Sequence, residues 1–178
     1  DELTVDEPKS LKEVYADKIV FGMCLNPNTI AEKYKSCVVN NFSSVTCENE
    51  MKPDCILNKE LCLKNVQEDR NYVAVSFENC RKIIEYCQEN GLVMRYHTLV
   101  WQNQTPDWFF YEDYDTGKQL TDKETMKKRM ENYINQVIAY FDKEYPGLIY
   151  TIDVVNEAFN GDGEYKVQEK NNKWYEIF

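Results

Sequence analysis

Four apolar segments recur along the chain, and a helical pattern separates each segment from the next. Each segment is rich in β-branched or other large apolar residues, which is typical of a strand covered on both faces. The predicted strands are "KIVFGMCL" (18–25), "FSSVTCEN" (42–49), "LVMRYHTLVW" (92–101) and "LIYTIDVVNEA" (148–158). Because strands that alternate with helices form right-handed βαβ units, this order predicts a parallel sheet within one domain.

The clearest helix lies between the third and fourth strands. It begins with Thr121 and Glu124 as a capping box and ends at Pro146 and Gly147. Its predicted buried face comprises Met126, Met130, Tyr133, Ile134, Val137, Ile138 and Phe141. A second helix is predicted over 73–90, with Phe77, Ile83, Ile84 and Cys87 facing inward, and it ends at Asn90 and Gly91. A shorter helix is predicted over 29–40.

Polar side chains gather where each predicted strand ends. They are Asn26 after the first strand, Glu48, Asn49 and Lys52 after the second, His97, Trp101 and Gln104 after the third, and Asn156 and Glu157 after the fourth. The carboxyl ends of parallel strands share one edge, so these residues are expected to form a single rim. Taken alone, Asn156 and Glu157 would also fit a solvated loop or a helix N-terminus. Together, the amides, carboxylates, lysine and tryptophan suit a sugar better than a phosphate, since no Gly-rich loop accompanies them.

The charge and the cysteine count narrow the class of protein. A formal net charge of −10 argues against nucleic acid as a partner, and no apolar run is long enough to cross a membrane. Seven cysteines favour an oxidising compartment and hence secretion, although the first ten residues do not form a signal peptide. No cofactor is expected, because a single histidine and the absence of a Cys-x-x-Cys pair argue against zinc or haem.

The cysteine spacing predicts one local disulfide. Cys55 and Cys62 bracket "CILNKELC", which is interpreted as a loop, and they are the best candidates for a bond; two unpaired thiols remain the alternative. Cys24 and Cys47 lie inside predicted strands, where they are expected to act as small buried apolar residues. Cys80 and Cys87 lie about 10 Å apart along one helix, which is too far for a bond.

Three ordered segments carry a resemblance to a known family. "TCENEMKP", "HTLVWQNQTPDWF" and "DVVNEAFN" resemble the signature segments of glycoside hydrolase family 10, the retaining endo-β-1,4-xylanases, and "LNPNTI" and "NKWYEIF" agree with this. The resemblance implies an α/β fold, a (β/α)8 TIM barrel, of which residues 1–178 supply about the first four βα units. The substrate implied is xylan, and the missing C-terminal half of the barrel is the implied partner.

The same resemblance assigns roles to the rim. It makes Glu157 the acid/base and places Asn156 at the 2-hydroxyl of the sugar at the scissile bond. The sugar-binding residues that it implies are Glu48, Asn49, Lys52, His97, Trp101 and Gln104. Asp153, expected to be buried in the fourth strand, would contact these residues rather than the sugar itself.

The chain departs from the family pattern in three places and in length. Gln102 replaces a usual histidine, Ile152 replaces a frequent tryptophan, and Arg95 and Tyr96 occur where a glycine is common, which is expected to crowd the barrel. No candidate nucleophile follows Glu157, so the chain alone is expected to be inactive. The alternatives are a noncatalytic xylan-binding half-barrel and an unrelated α/β binding protein.

Overall fold

A parallel four-stranded sheet forms the centre of the molecule. The computed structural model describes residues 9–165 and 172–178. Of the first ten residues discussed above, 1–8 lie outside the described residues. The strands are β1 (Gly22–Leu25), β2 (Ser44–Cys47), β3 (Val93–Tyr96) and β4 (Ile149–Ile152). They pair in chain order, β1-β2-β3-β4, and every pair is parallel. The predicted sheet is confirmed, although each strand is shorter than its apolar segment.

Helices connect the strands. They are α1 (Leu11–Val14), α2 (Glu32–Asn41), α3 (Pro53–Ile56), α4 (Lys59–Asn65), α5 (Arg81–Glu89), α6 (Lys123–Glu144) and α7 (Lys173–Ile177). Two 3-10 turns, Asp107–Phe110 and Glu112–Tyr114, precede α6. Within the described residues, no helix combines the length and the apolar character needed to cross a bilayer.

The α5 helix is shorter than the predicted helix over 73–90. It begins at Arg81: Val75 forms an antiparallel bridge with Leu57, and a turn over 78–80 separates this bridge from the helix. The predicted inward residues Phe77, Ile83, Ile84 and Cys87 are all buried, as expected. Gly91 follows α5 with φ +65°, a left-handed conformation that favours glycine, so the predicted end of the helix is confirmed.

The α6 helix begins one residue later than the capping-box prediction allowed. Asp122, not Thr121, is the N-cap: its Oδ1 accepts a hydrogen bond from the Thr125 backbone N–H at 2.9 Å, and its Oδ2 accepts one from the Thr125 hydroxyl at 2.8 Å. Four predicted inward residues, Met126, Tyr133, Val137 and Phe141, are buried. Ile138 is exposed, so its predicted burial is wrong.

The helices cover one face of the sheet. Across the strands, Met23, Val45, Met94 and Ile149 form a row on this face, and Val45 and Met94 are fully buried. Tyr96 also points to this side, where its ring packs edge-on against Phe141 of α6, with centroids 5.8 Å apart. Tyr96 therefore enlarges the core between sheet and helix, and the expectation that it crowds the barrel interior is wrong.

The opposite face of the sheet is open in the described part of the chain. Its row consists of Cys24, Thr46, Arg95 and Thr151, of which only Thr46 is even partly buried. Cys24 is therefore exposed, contrary to expectation, while Cys47 is buried as expected. Val154 and Val155 follow the end of β4 and are also exposed, so the prediction that they belong to a buried strand is wrong.

All seven cysteines are free thiols, so the predicted Cys55–Cys62 disulfide is not formed. The segment "CILNKELC" is not a loop: Cys55 lies on α3 and Cys62 on α4. The Cys62 side chain is buried, and its Sγ lies 3.3 Å from the Ala74 backbone nitrogen. Burial raises the pKa of the Cys55 thiol to about 11, which keeps it protonated at neutral pH.

Candidate active site

The predicted site residues all follow the carboxyl ends of parallel strands. Glu48, Asn49 and Lys52 come after β2, His97, Trp101 and Gln104 after β3, and Asp153, Asn156 and Glu157 after β4. Asp153 was expected inside the strand, yet it lies one residue beyond it and its side chain keeps 19% exposure. The residues are described below as four contact groups along this rim.

Lys52 is the centre of the first group. Its Nζ donates hydrogen bonds to Asn49 Oδ1 at 2.8 Å and to Gln104 Oε1 at 2.7 Å. The same ammonium lies 5.2 Å from the centre of the Trp101 ring, within the range of a cation–π contact. Although Lys52 is buried, its charge is thus matched by two amide oxygens and an aromatic face. This arrangement joins the β2 and β3 ends of the rim.

Glu48 is held by a residue from the neighbouring strand end. Asn26 Nδ2 donates to Glu48 Oε2 at 2.6 Å, while Asn26 Oδ1 accepts from the backbone N–H groups of Asn28 and Thr29. Asn26 is therefore fixed by its own turn and orients the carboxylate of Glu48. The sequence predicted Asn26 on the rim because it follows the first predicted strand.

His97 and Asp153 form the third group together with Arg95. His97 Nδ1 lies 2.8 Å from Asp153 Oδ2. Arg95 Nε and Nη2 donate to Asp153 Oδ1 at 3.0 and 2.8 Å. The sequence interpretation did not give Arg95 this role, although a charged residue two positions before His97 on a strand must share its face.

Glu157 contacts the indole of Trp101 in the fourth group. Trp101 Nε1 donates to Glu157 Oε2 at 3.1 Å. The Glu157 backbone has φ +51°, a left-handed conformation that is strained for a residue with a side chain. Next to it, the Asn156 backbone N–H donates to the Val100 carbonyl at 2.9 Å. The turn that carries Glu157 is thereby tied to the segment after β3.

The Trp101 backbone is held from two sides. The Thr105 hydroxyl donates to its carbonyl at 2.6 Å, and Trp174 Nε1 of α7 donates to the same oxygen at 3.3 Å. Trp174 was not among the predicted site residues, because its distance along the sequence gave no signal of this contact. The side-chain nitrogen of the next residue, Gln102, is buried without a hydrogen-bond partner within the described residues.

Chemically, the rim offers hydrogen-bond donors and acceptors of several kinds beside an aromatic ring. Such a surface can bind hydroxyl groups and pack against the C–H face of a sugar. Glu157 is exposed, whereas both oxygens of Asp153 are occupied by cationic or imidazole partners.

Comparison with known proteins places this geometry in a family. The model of "Glycosyl hydrolase family 10" matches residues 10–178. The chain belongs to glycosyl hydrolase family 10. The predicted fold class is thereby confirmed: the chain forms part of a (β/α) barrel and supplies four of its strands with their helices.

Among the relatives of this family 10 chain, endo-1,4-beta-xylanase B of Butyrivibrio fibrisolvens is 38% identical over 83% of the chain and 24% of its own length. Endo-1,4-beta-xylanase A of Thermotoga maritima is 37% identical over 96% of the chain and 15% of its own length. The chain therefore spans at most about a quarter of the length of these two relatives.

Solved structures of the family agree with the fold. The CBM22-1 and GH10 modules of endo-1,4-beta-D-xylanase 10B from Clostridium thermocellum, complexed with xylohexaose, match with a TM-score of 0.81 and 32% identity. The match covers 94% of this chain and 34% of that one. An intracellular xylanase from Thermoanaerobacterium saccharolyticum, in complex with xylotetraose, matches with a TM-score of 0.76 and 27% identity. There the match covers 98% of this chain and 50% of the solved chain.

Proposed function

We propose that this chain is the acid/base-carrying half of an endo-1,4-β-xylanase catalytic barrel. The observation that carries the proposal is the position of Glu157: it lies on a rim of sugar-type donors and acceptors, with one carboxylate oxygen accepting from Trp101. Similarity to several xylanases, two of them solved with xylo-oligosaccharides, supports xylan as the substrate class.

In the proposed reaction, Glu157 protonates the glycosidic oxygen as the leaving sugar departs. Asn156 binds the 2-hydroxyl of the sugar on the other side of the bond. The remaining rim residues hold that sugar: Glu48, Asn49, Lys52, His97, Trp101 and Gln104. Retention requires a second carboxylate about 5 to 5.5 Å from the first, which attacks the anomeric carbon and forms a glycosyl-enzyme. Glu48 is committed to Asn26 and is proposed as a binding residue, so the nucleophile must come from the rest of the barrel.

The partner of the chain in this proposal is the C-terminal half of the barrel. Within the described residues, β1 and β4 are edge strands of the sheet, and the face between them is open. Four further strands would pair with both edges and cover Val154 and Val155. Secretion stays a prediction from the cysteine count, and the free thiols add no support to it.

A second candidate function is noncatalytic binding of xylan. Lys52 holds Asn49 and Gln104 together through hydrogen bonds within the chain, and these residues are the proposed sugar-binding part of the rim. A binding protein would use this part and would not depend on Glu157. The two functions therefore differ in what a change at Glu157 should do.

The test measures xylan hydrolysis by residues 1–178, alone and combined with the C-terminal half of a family 10 xylanase barrel. We expect no turnover by the chain alone and retaining hydrolysis by the combined protein. Glu157→Gln should lower turnover of xylan by at least about a hundredfold, within the range attributed to general acid–base catalysis. An aryl xylobioside with a good leaving group should be affected less, because its departure needs little protonation.

Glu89→Gln is the matched control, since Glu89 is an exposed carboxylate at the end of α5, away from the rim. It should leave turnover unchanged. Turnover by the chain alone would show that the second carboxylate is not needed. Equal turnover of xylan by the Glu157→Gln and Glu89→Gln proteins would remove Glu157 from the acid/base role and favour the binding function.

A further inference from the structure

A groove runs along α6, where this helix meets the segment that precedes α5. It consists of two adjoining depressions of about 450 and 500 Å³, which share Gln136 and Ala139 as lining residues. Both walls contribute further side chains, among them Tyr72, Val75, Asn132 and Tyr140. Among the described residues, the groove and the rim of the candidate active site share no lining residue, so the groove is a separate surface of the molecule.

Three residues of α6 line the groove at intervals of four positions. They are Asn132, Gln136 and Tyr140, and each is partly buried. Residues four apart share one face of a helix and lie about 6 Å apart along its axis. This interval is close to the length of one sugar unit in an extended β-1,4-linked chain.

Main-chain contacts fix the two amides of this stripe. Asn132 Nδ2 donates to the Asn71 carbonyl at 2.9 Å, and Gln136 Nε2 donates to the Val73 carbonyl at 2.8 Å. Carbonyl partners can only accept, so the nitrogens must face them and the amide oxygens must face away. Within the described residues, neither amide oxygen accepts a hydrogen bond, and neither is sealed from solvent. The groove therefore presents two fixed acceptors.

Tyr140 adds an aromatic surface whose position is also fixed. Its ring stacks on the buried Phe77, with centroids 3.9 Å apart and the planes inclined at 11°. Tyr145 packs at a tilt with its centroid 5.7 Å away. The part of the Tyr140 ring that these neighbours leave uncovered lines the groove, and a rigid, partly exposed ring of this kind packs well against the C–H face of a sugar.

The charged residues of the groove lie at its two ends. At one end Arg81 pairs with Glu78, and Lys143 pairs with Glu144. At the other end the Asp69 carboxylate accepts from the Asn71 backbone N–H at 2.9 Å. Between the ends, the described lining side chains are uncharged. The groove therefore suits a neutral ligand that carries hydroxyl groups better than an ionic one.

We propose that this groove is a second binding site, which takes a neutral, linear β-1,4-linked polysaccharide outside the cleft of the barrel. Asn132 and Gln136 accept hydrogen bonds from hydroxyl groups of successive sugar units, and the ring of Tyr140 packs against the next unit. The β-1,4-linked class follows from the stripe itself, whereas the choice of xylan within that class rests on the proposed function. Binding here holds the protein on the polymer and raises the local concentration of substrate at the rim.

The groove stays accessible when the barrel is complete. Both of its walls belong to connections that lead into or out of β3, which already has a neighbour on each side. Further strands pair with the edge strands β1 and β4. In the outer ring of helices, the helix that follows β4 lies on the side of α6 that faces away from the segment before α5. The missing half therefore joins the sheet away from the groove.

Binding can be measured in the 178-residue chain, which is expected not to hydrolyse the probe. The ¹⁵N-labelled protein is titrated with xylohexaose and followed by proton–nitrogen NMR spectra. The side-chain amide signals of Asn132 and Gln136 report on the groove, and the indole signal of Trp101 reports on the rim. We expect the groove signals to shift with a dissociation constant in the millimolar range, because the site is open and makes few contacts. Maltohexaose, whose α-1,4-linked chain is coiled, should bind at least about tenfold more weakly.

Ala139→Arg tests the site without a change in the buried core. Ala139 is exposed in the middle of the groove, so a long side chain there should obstruct it and weaken xylohexaose binding at least about tenfold. Ile138→Arg is the matched control, because Ile138 is exposed on the same helix, receives the same side chain and is not a lining residue of the groove. If Ala139→Arg does not fold by circular dichroism, Tyr140→Ala replaces it, with a loss of about fivefold expected and the exposed Tyr34→Ala as its control.

Shifts confined to the Trp101 indole, or no shift up to the solubility of xylohexaose, would overturn the second site. Equal affinities of the Ala139→Arg and Ile138→Arg proteins would do the same, as would equal shifts with maltohexaose. Groove shifts with cellohexaose and none with xylohexaose would support the site and remove xylan as its ligand. These spectra are recorded on the chain alone, so a lack of xylanase activity in the combined barrel counts against the proposed function and not against the groove.

Discussion

Met94 and Arg95 are neighbours on β3 and meet opposite environments. Met94 is fully buried between the sheet and the helices, whereas the Arg95 side chain is 48% exposed on the open face. The same alternation runs across the sheet, since successive residues of a strand point to opposite faces. The helical side therefore contributes most of the buried apolar area, and the open side carries the polar groups linked to the rim. One face of this short sheet therefore provides most of the packing that stabilises the chain, and the other face carries the polar side chains near the rim.

Met94→Ala should give the largest effect in this comparison. It removes a buried side chain at the centre of the row that faces the helices, and the expected loss in free energy of unfolding is about 3 kcal/mol. Urea unfolding followed by circular dichroism measures it. A loss below about 1 kcal/mol would mean that the helical face is loosely packed.

The second prediction compares one substitution on the two sides. Val45→Ala should lower the free energy of unfolding by about 2 kcal/mol, because Val45 is fully buried. Val154→Ala should change it by less than about 0.5 kcal/mol, because Val154 is exposed. Both variants are measured by the same urea titration. Equal losses would contradict the division of the molecule into a packed and an open side.

The third prediction concerns the start of α6 on the packed side. Asp122→Ala removes the N-cap and should cost about 1 kcal/mol at pH 7. The hydrogen bonds from the Thr125 backbone and hydroxyl lower the pKa of Asp122 from its ordinary value of 3.8 to about 2 in the folded chain. The folded pKa lies below the unfolded one, so this stabilisation is fully present above pH 4 and is lost as the pH falls through 2.

Urea titrations of wild type and Asp122→Ala at pH 7, 4 and 2.5 check the third prediction. The difference between the two proteins should shrink only at the lowest pH. A Thr121→Val variant is the control, because the Thr121 hydroxyl has no partner within the described residues, and it should be at least as stable as wild type. A larger loss for Thr121→Val than for Asp122→Ala would restore the original capping-box prediction.

Arg95→Met should give the smallest change in stability. The ion pair with Asp153 is half-exposed on the side of Arg95, and such pairs contribute about 0 to 1 kcal/mol. The variant should therefore unfold within about 1 kcal/mol of wild type. A loss as large as that of Met94→Ala would show that the open face carries stability as well.

Sequence pattern was sufficient for features with strong periodicity or a fixed place in the sheet. It predicted the four parallel strands, most of the buried face of α6 and the gathering of the site residues at one edge. It failed where a contact distant in sequence decides the structure. The bridge between Leu57 and Val75 lies within the predicted helix over 73–90 and excludes a helix at that position. The pairing of Arg95 with Asp153 depends on strand register, which the apolar pattern alone does not fix.

Other errors have local causes. Cys55 and Cys62 were assigned to a loop, yet Pro53 and Asn58 start two short helices there. Val154 and Val155 have strong strand character, but β4 ends at Ile152 and leaves them exposed. The roles of the rim residues stay predictions, since geometry shows which groups are adjacent and activity measurements must show what they do.

The tryptophans give the molecule a useful optical property. All three, Trp101, Trp108 and Trp174, lie on the segment after β3 or on α7, which contacts it. Trp101 shares its indole N–H with Glu157 and its ring face with Lys52. Intrinsic fluorescence therefore reports on the rim rather than on the sheet. A ligand that packs on Trp101 should shift the emission without a dye or a label, and the same signal can follow its titration.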